Sequence, residues 1–317
     1  MKVLVTGAAG FVGRALAAKL AALDQFEVLA LTRFKPVNPV FGARYLPAGD
    51  LTSWTQGRTA LAGVQTLVHA AARVHILNDK TAESLVEYER VNVAVTLNLA
   101  RQAAAAGVRR FVFLSSIGVN GVATGLDMAF SEADQPQPHN PYAESKLKAE
   151  LGLRQIAEET GLEVVIIRPP LVYGPGVRAN FAALMHAVQG GWPLPLGAVH
   201  NLRSLVAMDN LVDFIITCMT HPQAAYQTFL ISDGKDVSSA DLVRGLAREL
   251  GVTARVLPVP PWILLLGAKG LGKGDVTQRL CGSLRVDITK AQTLLGWSPL
   301  ISLDEGLRRT VAATRKS

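Results

Sequence analysis

Tyr142 and Lys146 stand four residues apart in the run His139-Asn-Pro-Tyr-Ala-Glu-Ser-Lys146, and a phenol beside an ammonium can move a proton. Asn is a good helix N-cap and Pro suits the first helical position, so a helix is expected to begin here. Residues at i and i+4 then share a face, which puts Tyr142 in the first turn with Lys146 next to it. A free phenol ionises near pH ~10, and a neighbouring cation and the positive end of a helix dipole both favour the phenolate. The pair therefore predicts a Tyr142 pKa drawn towards neutrality and a proton exchanged with an alcohol. Any exposed helix can carry such a pair, so the surrounding elements must decide.

Two hydroxyls follow an apolar run in Phe111-Val-Phe-Leu-Ser115-Ser116, the pattern of a buried strand ending at a polar edge. Ser116 could there hydrogen-bond a substrate oxygen whose charge changes during hydride transfer. At the other end of the chain, Thr6-Gly7-Ala-Ala-Gly10-Phe-Val-Gly13 lies between an apolar strand and an Ala-rich helix. Glycines in that place allow a tight turn and let backbone approach a pyrophosphate at a helix N-terminus, the pattern of a dinucleotide site. The ribose-reading position should fall at the end of the second strand, where an acid indicates NAD and an Arg accommodates a 2′-phosphate. Leu31-Thr32-Arg33-Phe34-Lys35 offers no acid, so Arg33 favours NADP(H), with NAD(H) possible. Asp50 and Leu51 could border the adenine, and Ala70, Ala71 and Ala72 supply small side chains for a dinucleotide.

The elements that must position these groups read as alternating strands and helices. Strands are expected at 2–6, 27–32, 43–47, 66–69, 110–115 and 163–168, with helices at 12–23, 85–106 and 142–160. This is an α/β, Rossmann-type doubly wound parallel sheet, with ligands at the carboxyl ends of the strands. Residues 1–168 form the expected dinucleotide-binding domain. Prolines punctuate the chain beyond Arg168, and 169–317 is expected to be a smaller substrate-binding region whose strand at about 228–232 returns to the main sheet.

Bulk properties exclude several classes. Of 317 residues, 49% are hydrophobic and 18% charged, enough for a large core. No signal peptide is expected, and the apolar stretches at 211–219 and 262–267 are too short to span a bilayer. Two cysteines without metal-ligand spacing suggest a reducing, cytoplasmic setting, and six unclustered histidines argue against a metal site. The net charge of +7 is spread along the chain, which points to an anionic substrate and away from nucleic acid. Gly267 to Gly274 imitates a phosphate-binding loop, but Gly274 stands where a magnesium-binding Ser or Thr is needed.

With Gly7, Gly10, Gly13, Ser116, Tyr142 and Lys146 in this order, the chain resembles the extended short-chain dehydrogenase/reductases, in the branch of NAD(P)-dependent nucleotide-sugar epimerases, dehydratases and ketoreductases. The resemblance implies that Ser116 orients the sugar oxygen, Tyr142 is the general acid/base, and Lys146 lowers the Tyr142 pKa and holds the nicotinamide ribose. It also implies cofactor contacts from Phe11, Val12, Asn92 and Ser115, and from Pro169 and Val172 in Arg168-Pro-Pro-Leu-Val-Tyr-Gly-Pro175. A UDP-sugar substrate would meet Asn180, Leu196, Arg203 and Arg279, and a homodimer through helices 85–106 and 142–160 is possible. Dehydratases of this branch carry an Asp-Glu pair after the serine, and Ile117-Gly118 replaces it here, which argues against dehydration. Arg33 and resemblance in the 193–197, 203–210 and 279–287 segments point to NAD(P)H-dependent 4-ketoreduction of a UDP-linked 4-keto-6-deoxy sugar for surface polysaccharide. The alternative is a UDP-hexose 4-epimerase with tightly bound NAD.

Overall fold

The computed structural model describes residues 1–54, 57–73, 82–264 and 280–315. Its centre is a seven-stranded, all-parallel sheet in the order β3-β2-β1-β4-β5-β6-β9. The strands are β1 (Lys2–Thr6), β2 (Glu27–Thr32), β3 (Ala43–Pro47), β4 (Thr66–His69), β5 (Arg110–Leu114), β6 (Glu163–Arg168) and β9 (Thr228–Leu230). A small parallel pair, β7 (Leu171–Tyr173) and β8 (Leu205–Ala207), lies outside it. Apart from the edge strand β3, whose residues are all at least partly exposed, strand interiors are apolar without alternation because both faces are covered. Alternate residues go to opposite sides: Val3, Val5, Val28 and Val112 join one cluster, while Leu4, Leu29, Phe111 and Phe113 join another.

Helices α1 (Phe11–Ala21) and α7 (Met208–Thr220) supply the first cluster with Leu16, Leu20, Leu211 and Phe214. Helices α4 (Val95–Ala105) and α5 (Pro141–Thr160) supply the second with Leu99, Ala103, Leu153 and Ile156. A third cluster gathers Tyr173, Phe181, Leu205, Leu246 and Leu307 from α6 (Ala179–Gln189), β7, β8, α8 (Ser239–Leu250) and the last helix, α10 (Leu303–Thr314), which follows α9 (Thr289–Leu295).

Two local outcomes matter for the site. Asn140 caps α5 by accepting from the Ala143 amide at 2.8 Å, Pro141 opens the helix, and Gly161 closes it at φ +73°. The helix expected at 85–106 is instead three pieces: α3 (Ala82–Tyr88), a π-helical turn Glu89–Ala94, and α4. The wider turn lets Asn92 serve the backbone of Arg73, accepting from its N–H at 2.8 Å and donating to its carbonyl at 3.0 Å. Periodicity cannot register such a turn, because an apolar stripe continues through it. Helix α2 (Gly57–Ala60) is a single turn.

Candidate active site

The strand order reverses between β1 and β4, whose ends pair Thr6 with His69, and a crevice opens at this switch point as such sheets require. Gly7 turns there at φ +66°, and a Cβ on it would lie 2.7 Å from the Ala71 amide nitrogen. Gly10 donates its N–H to the Gly7 carbonyl at 2.8 Å and caps α1. A cavity of about 290 Å³ runs along this turn, lined among others by Gly10, Thr32, Arg33, Asp50, Leu51 and Ala72. Thus Gly7, Gly10, Arg33, Asp50, Leu51, Ala70, Ala71 and Ala72 converge on one groove. The Thr32 hydroxyl, buried on its wall, has no hydrogen-bond partner among the described residues, as expected of a group awaiting a ligand. A glycine turn without side chains, a helix N-terminus and an orphaned hydroxyl in one groove fit a dinucleotide.

Asp50 accepts from the Thr52 amide at 3.0 Å and from Arg90 at 3.0 Å. The Thr52 amide, then the Arg90 guanidinium, hold its carboxyl down to about 2. Arg33 is exposed at the end of β2 and lines both this groove and an adjoining cavity of about 390 Å³ that also meets Arg73, Glu87 and Arg90. Phe11 and Val12 are half-buried against the α1 core, as is Val172 on β7, while the Pro169 carbonyl accepts from the Ile117 amide at 3.0 Å.

The acid/base groups come from two elements that touch. Ser116 caps a 3-10 turn, Ile117–Val119, accepting from the Gly118 amide at 3.1 Å. Gly118 lies against the first turn of α5: a Cβ there would sit 3.4 Å from the Ala143 Cβ and 3.4 Å from the Ser116 Oγ. Tyr142 and Lys146 are therefore brought to the serine by this packing.

The electrostatics differ from the expectation for Tyr142. Burial, with Tyr88 as a second cause, pushes its phenol up to about 12, and the Tyr88 ring meets it edge-on at 6.3 Å. Lys146 does not pull it down, because its ammonium is buried, donates to the Leu114 carbonyl at 2.8 Å and lies 4.4 Å from the Phe113 ring centre. Burial lowers Lys146 to about 7, with Glu150 partly opposing. Spacing put the two side chains on one face but could not say how dry that face is.

Other expected site residues fall differently. The Ser115 hydroxyl turns away from the groove and donates to Glu150 at 2.5 Å. Leu196 is 4% exposed and its side chain belongs to the third core cluster, so the side chain itself is core. Arg203 is half-buried and donates to the Gly282 carbonyl at 3.0 Å. Asn180 is exposed in the first turn of α6, after Ala179 at φ +54°, a conformation that costs a non-glycine residue strain. Arg279 and the whole 267–274 glycine-rich run lie outside the described residues.

His69 went unnoticed in the sequence, although a polar residue ending an apolar strand is a usable signal. It is buried, with Nδ1 2.7 Å from the Thr6 Oγ and Nε2 2.9 Å from the Thr96 Oγ. Thr96 donates to the Asn92 carbonyl at 2.7 Å, so it must accept from the His69 Nε2–H, leaving Nδ1 to accept from Thr6. Asn92 continues the chain to Ser145 at 3.0 Å, and Ser145 to the Tyr142 carbonyl at 2.7 Å. Burial, reinforced by Lys146, lowers the imidazole from 6.5 to about 3. The unfolded chain thus binds a proton below 6.5 that the native one refuses until about 3. Stability is unaffected above that window and falls within it by up to about 1.4 kcal/mol per pH unit. Urea midpoints measured from about pH 7 to about pH 5 should drop, and His69→Gln should flatten the decline. An undiminished decline in the variant would place its origin elsewhere.

A doubly wound sheet with a glycine turn at its switch point and a Ser/Tyr/Lys set beside it defines a dinucleotide-dependent enzyme of the extended short-chain dehydrogenase/reductase type. The chain belongs to the NAD dependent epimerase/dehydratase family, which it matches over residues 3–232. It is 46% identical over 312 residues to a UDP-glucose 4-epimerase of Vibrio cholerae, covering 98% of this chain and 94% of the relative. It is 28% identical to an Escherichia coli O157:H7 N-acetyl-alpha-D-glucosaminyl-diphospho-ditrans,octacis-undecaprenol 4-epimerase, covering 98% and 94%. Among solved structures, MoeE5 in complex with UDP-glucose and NAD superposes with TM-score 0.79 at 29% identity, over 100% of this chain and 99% of that one. A Thermus thermophilus UDP-glucose 4-epimerase with NAD shares the fold at TM-score 0.81 and 24% identity, over 100% of both chains. Among the described residues no group of side chains could hold a metal ion, and no helix is long and apolar enough to cross a membrane.

Proposed function

We propose that this protein interconverts UDP-hexoses at C4 with NAD retained through turnover. The observation that supports the reading is 46% identity to a UDP-glucose 4-epimerase along nearly the whole chain, and we assign the chemistry to Ser116, Tyr142 and Lys146 on the two touching elements near the dinucleotide groove. The α1 N-terminus with Gly7 and Gly10 would hold the pyrophosphate, Thr32 and Asp50 the adenosine side, and Lys146 the nicotinamide ribose. Bound there, the nicotinamide supplies the hydride acceptor and donor.

The chain's own groups handle the proton. Ser116 hydrogen-bonds the C4 oxygen and fixes its distance to the phenol. Tyr142 takes the hydroxyl proton on oxidation and gives it back on reduction. A phenol pushed up to about 12 rests protonated, ready to donate. Acting as a base requires positive charge close by, which Lys146 supplies when it turns from the Leu114 carbonyl towards the site. The diphosphate of the substrate would meet Asn180 and Arg203.

A second reading, net reduction of a 4-keto-6-deoxy UDP-sugar with NADPH, is favoured by Arg33, exposed where an acid would select NAD. Two incubations separate them. UDP-glucose with the purified protein and no added reductant should yield UDP-galactose; stoichiometric oxidation of NADPH by the 4-keto sugar, with no hexose interconversion, would overturn epimerisation. On the epimerase reading Arg33→Ser changes turnover by less than about twofold, whereas a 2′-phosphate partner would cost about tenfold or more in NADPH affinity.

A further inference from the structure

We propose that Glu150 and Arg168 are positioning residues that clamp the turn carrying Ser116 against the helix carrying Tyr142 and Lys146. The inference rests on the proton-transfer roles assigned above to those three residues. Ser116 and Tyr142 come from different elements, and proton transfer needs them in register to a fraction of an ångström. Something stiff must join the elements.

Glu150 lies two helical turns beyond Tyr142 on α5 and is 0% exposed; Arg168, at the end of β6, is 2% exposed. Arg168 binds Glu150 bidentately, Nε to Oε1 at 2.9 Å and Nη2 to Oε2 at 2.5 Å, the geometry with the least angular freedom. The pair then grips both ends of the Ser116 turn. At its entry, the Ser115 hydroxyl donates to Glu150 Oε1 at 2.5 Å. At its exit, Arg168 Nη1 donates to Asn120 Oδ1 at 2.9 Å, and the Asn120 amide closes the turn on the Ile117 carbonyl at 2.9 Å. Asn120 also donates to the Ser131 carbonyl at 2.9 Å, and Arg154 reaches Glu150 Oε2 at 3.4 Å from the helix surface.

A buried ion pair adds little net stability over apolar packing, so its value is sought in the geometry it imposes. Glu150 also stands one turn from Lys146 and opposes the loss of its charge. Ser115 therefore serves the turn through its hydroxyl.

Removing Glu150 or Arg168 would leave its partner charged, buried and unpaired, and could unfold the protein; the test therefore uses the two turn residues. Ser115→Ala and Asn120→Ala should each lower kcat about tenfold with KM within about twofold. On a Ser116→Ala background the same substitutions should cost less than about twofold, because the clamp acts through that serine. Losses that multiply with Ser116→Ala would overturn the proposal. Hydrogen exchange offers a second decision that needs no turnover. Amides of Ile117 to Gly121 should exchange at least about tenfold faster in the Ser115→Ala/Asn120→Ala double variant, with the remaining sheet unchanged. Wild-type protection there would also overturn it. Should the wild-type chain turn over neither UDP-glucose nor the 4-keto sugar, the proposed function falls and the exchange result still decides the clamp.

Discussion

Replacing Tyr142 by Phe is expected to lower kcat by about 10²- to 10⁴-fold, the range over which a positioned acid/base acts. The ring remains, with its edge contact to Tyr88, and Asn140 and Pro141 still start the helix. Folding, dinucleotide binding and KM should therefore stay near wild type. Only the proton route is lost, since a hydride leaving C4 needs the hydroxyl proton to depart with it. Measured with UDP-glucose, or with the 4-keto sugar if that is the substrate, a variant keeping more than about a tenth of wild-type kcat would remove Tyr142 from this role. A separate titration tests the resting state. Because burial holds the phenol near 12, a spectral titration of the wild-type chain without added nucleotide should reveal no tyrosinate in the neutral range.

Gly7→Ala should act on binding and stability together. The residue sits at φ +66°, which costs a side chain roughly 1–2 kcal/mol. Its Cβ would also lie 2.7 to 2.9 Å from backbone atoms of Ala70 and Ala71. Main chain cannot step aside as a side chain can, so overpacking adds about 1–3 kcal/mol. The two strands of the switch point must part to admit the methyl, and the turn between them is where a pyrophosphate would lie. We expect the melting temperature to fall by at least about 5 °C and dinucleotide affinity by more than about tenfold. Calorimetry and titration with NAD would register both. A variant that melts and binds like wild type would mean that the turn relaxes freely and that its glycine is dispensable.

The strands were legible because their residues answer to one rule. A sheet covered on both faces demands unbroken apolar runs, and Lys2–Thr6, Glu27–Thr32, Thr66–His69 and Glu163–Arg168 stand where those runs lie. The start of α5 was legible for a similar reason, since Asn140 and Pro141 act through atoms within one turn of themselves. The π-helical turn at Glu89–Ala94 was not, because its cause is the Arg73 backbone, brought near by the fold. His69 was passed over for the same reason: Thr6 and Thr96 reach it from β1 and α4.

The sequence by itself determined the sheet, the glycine turn at the mouth of β1, and the presence of Ser116, Tyr142 and Lys146 on two elements that such a sheet brings together. Each of these follows from local chemistry: side-chain shape, backbone freedom and spacing along one helix or strand. Tertiary structure alone decided the charge state of the site. It half-buried Tyr142 and raised its pKa where spacing predicted a fall, turned Lys146 onto the Leu114 carbonyl, and gave Ser115 to Glu150. Those outcomes depend on how much water reaches each group and on which distant partners arrive, and desolvation is a property of the packed interior.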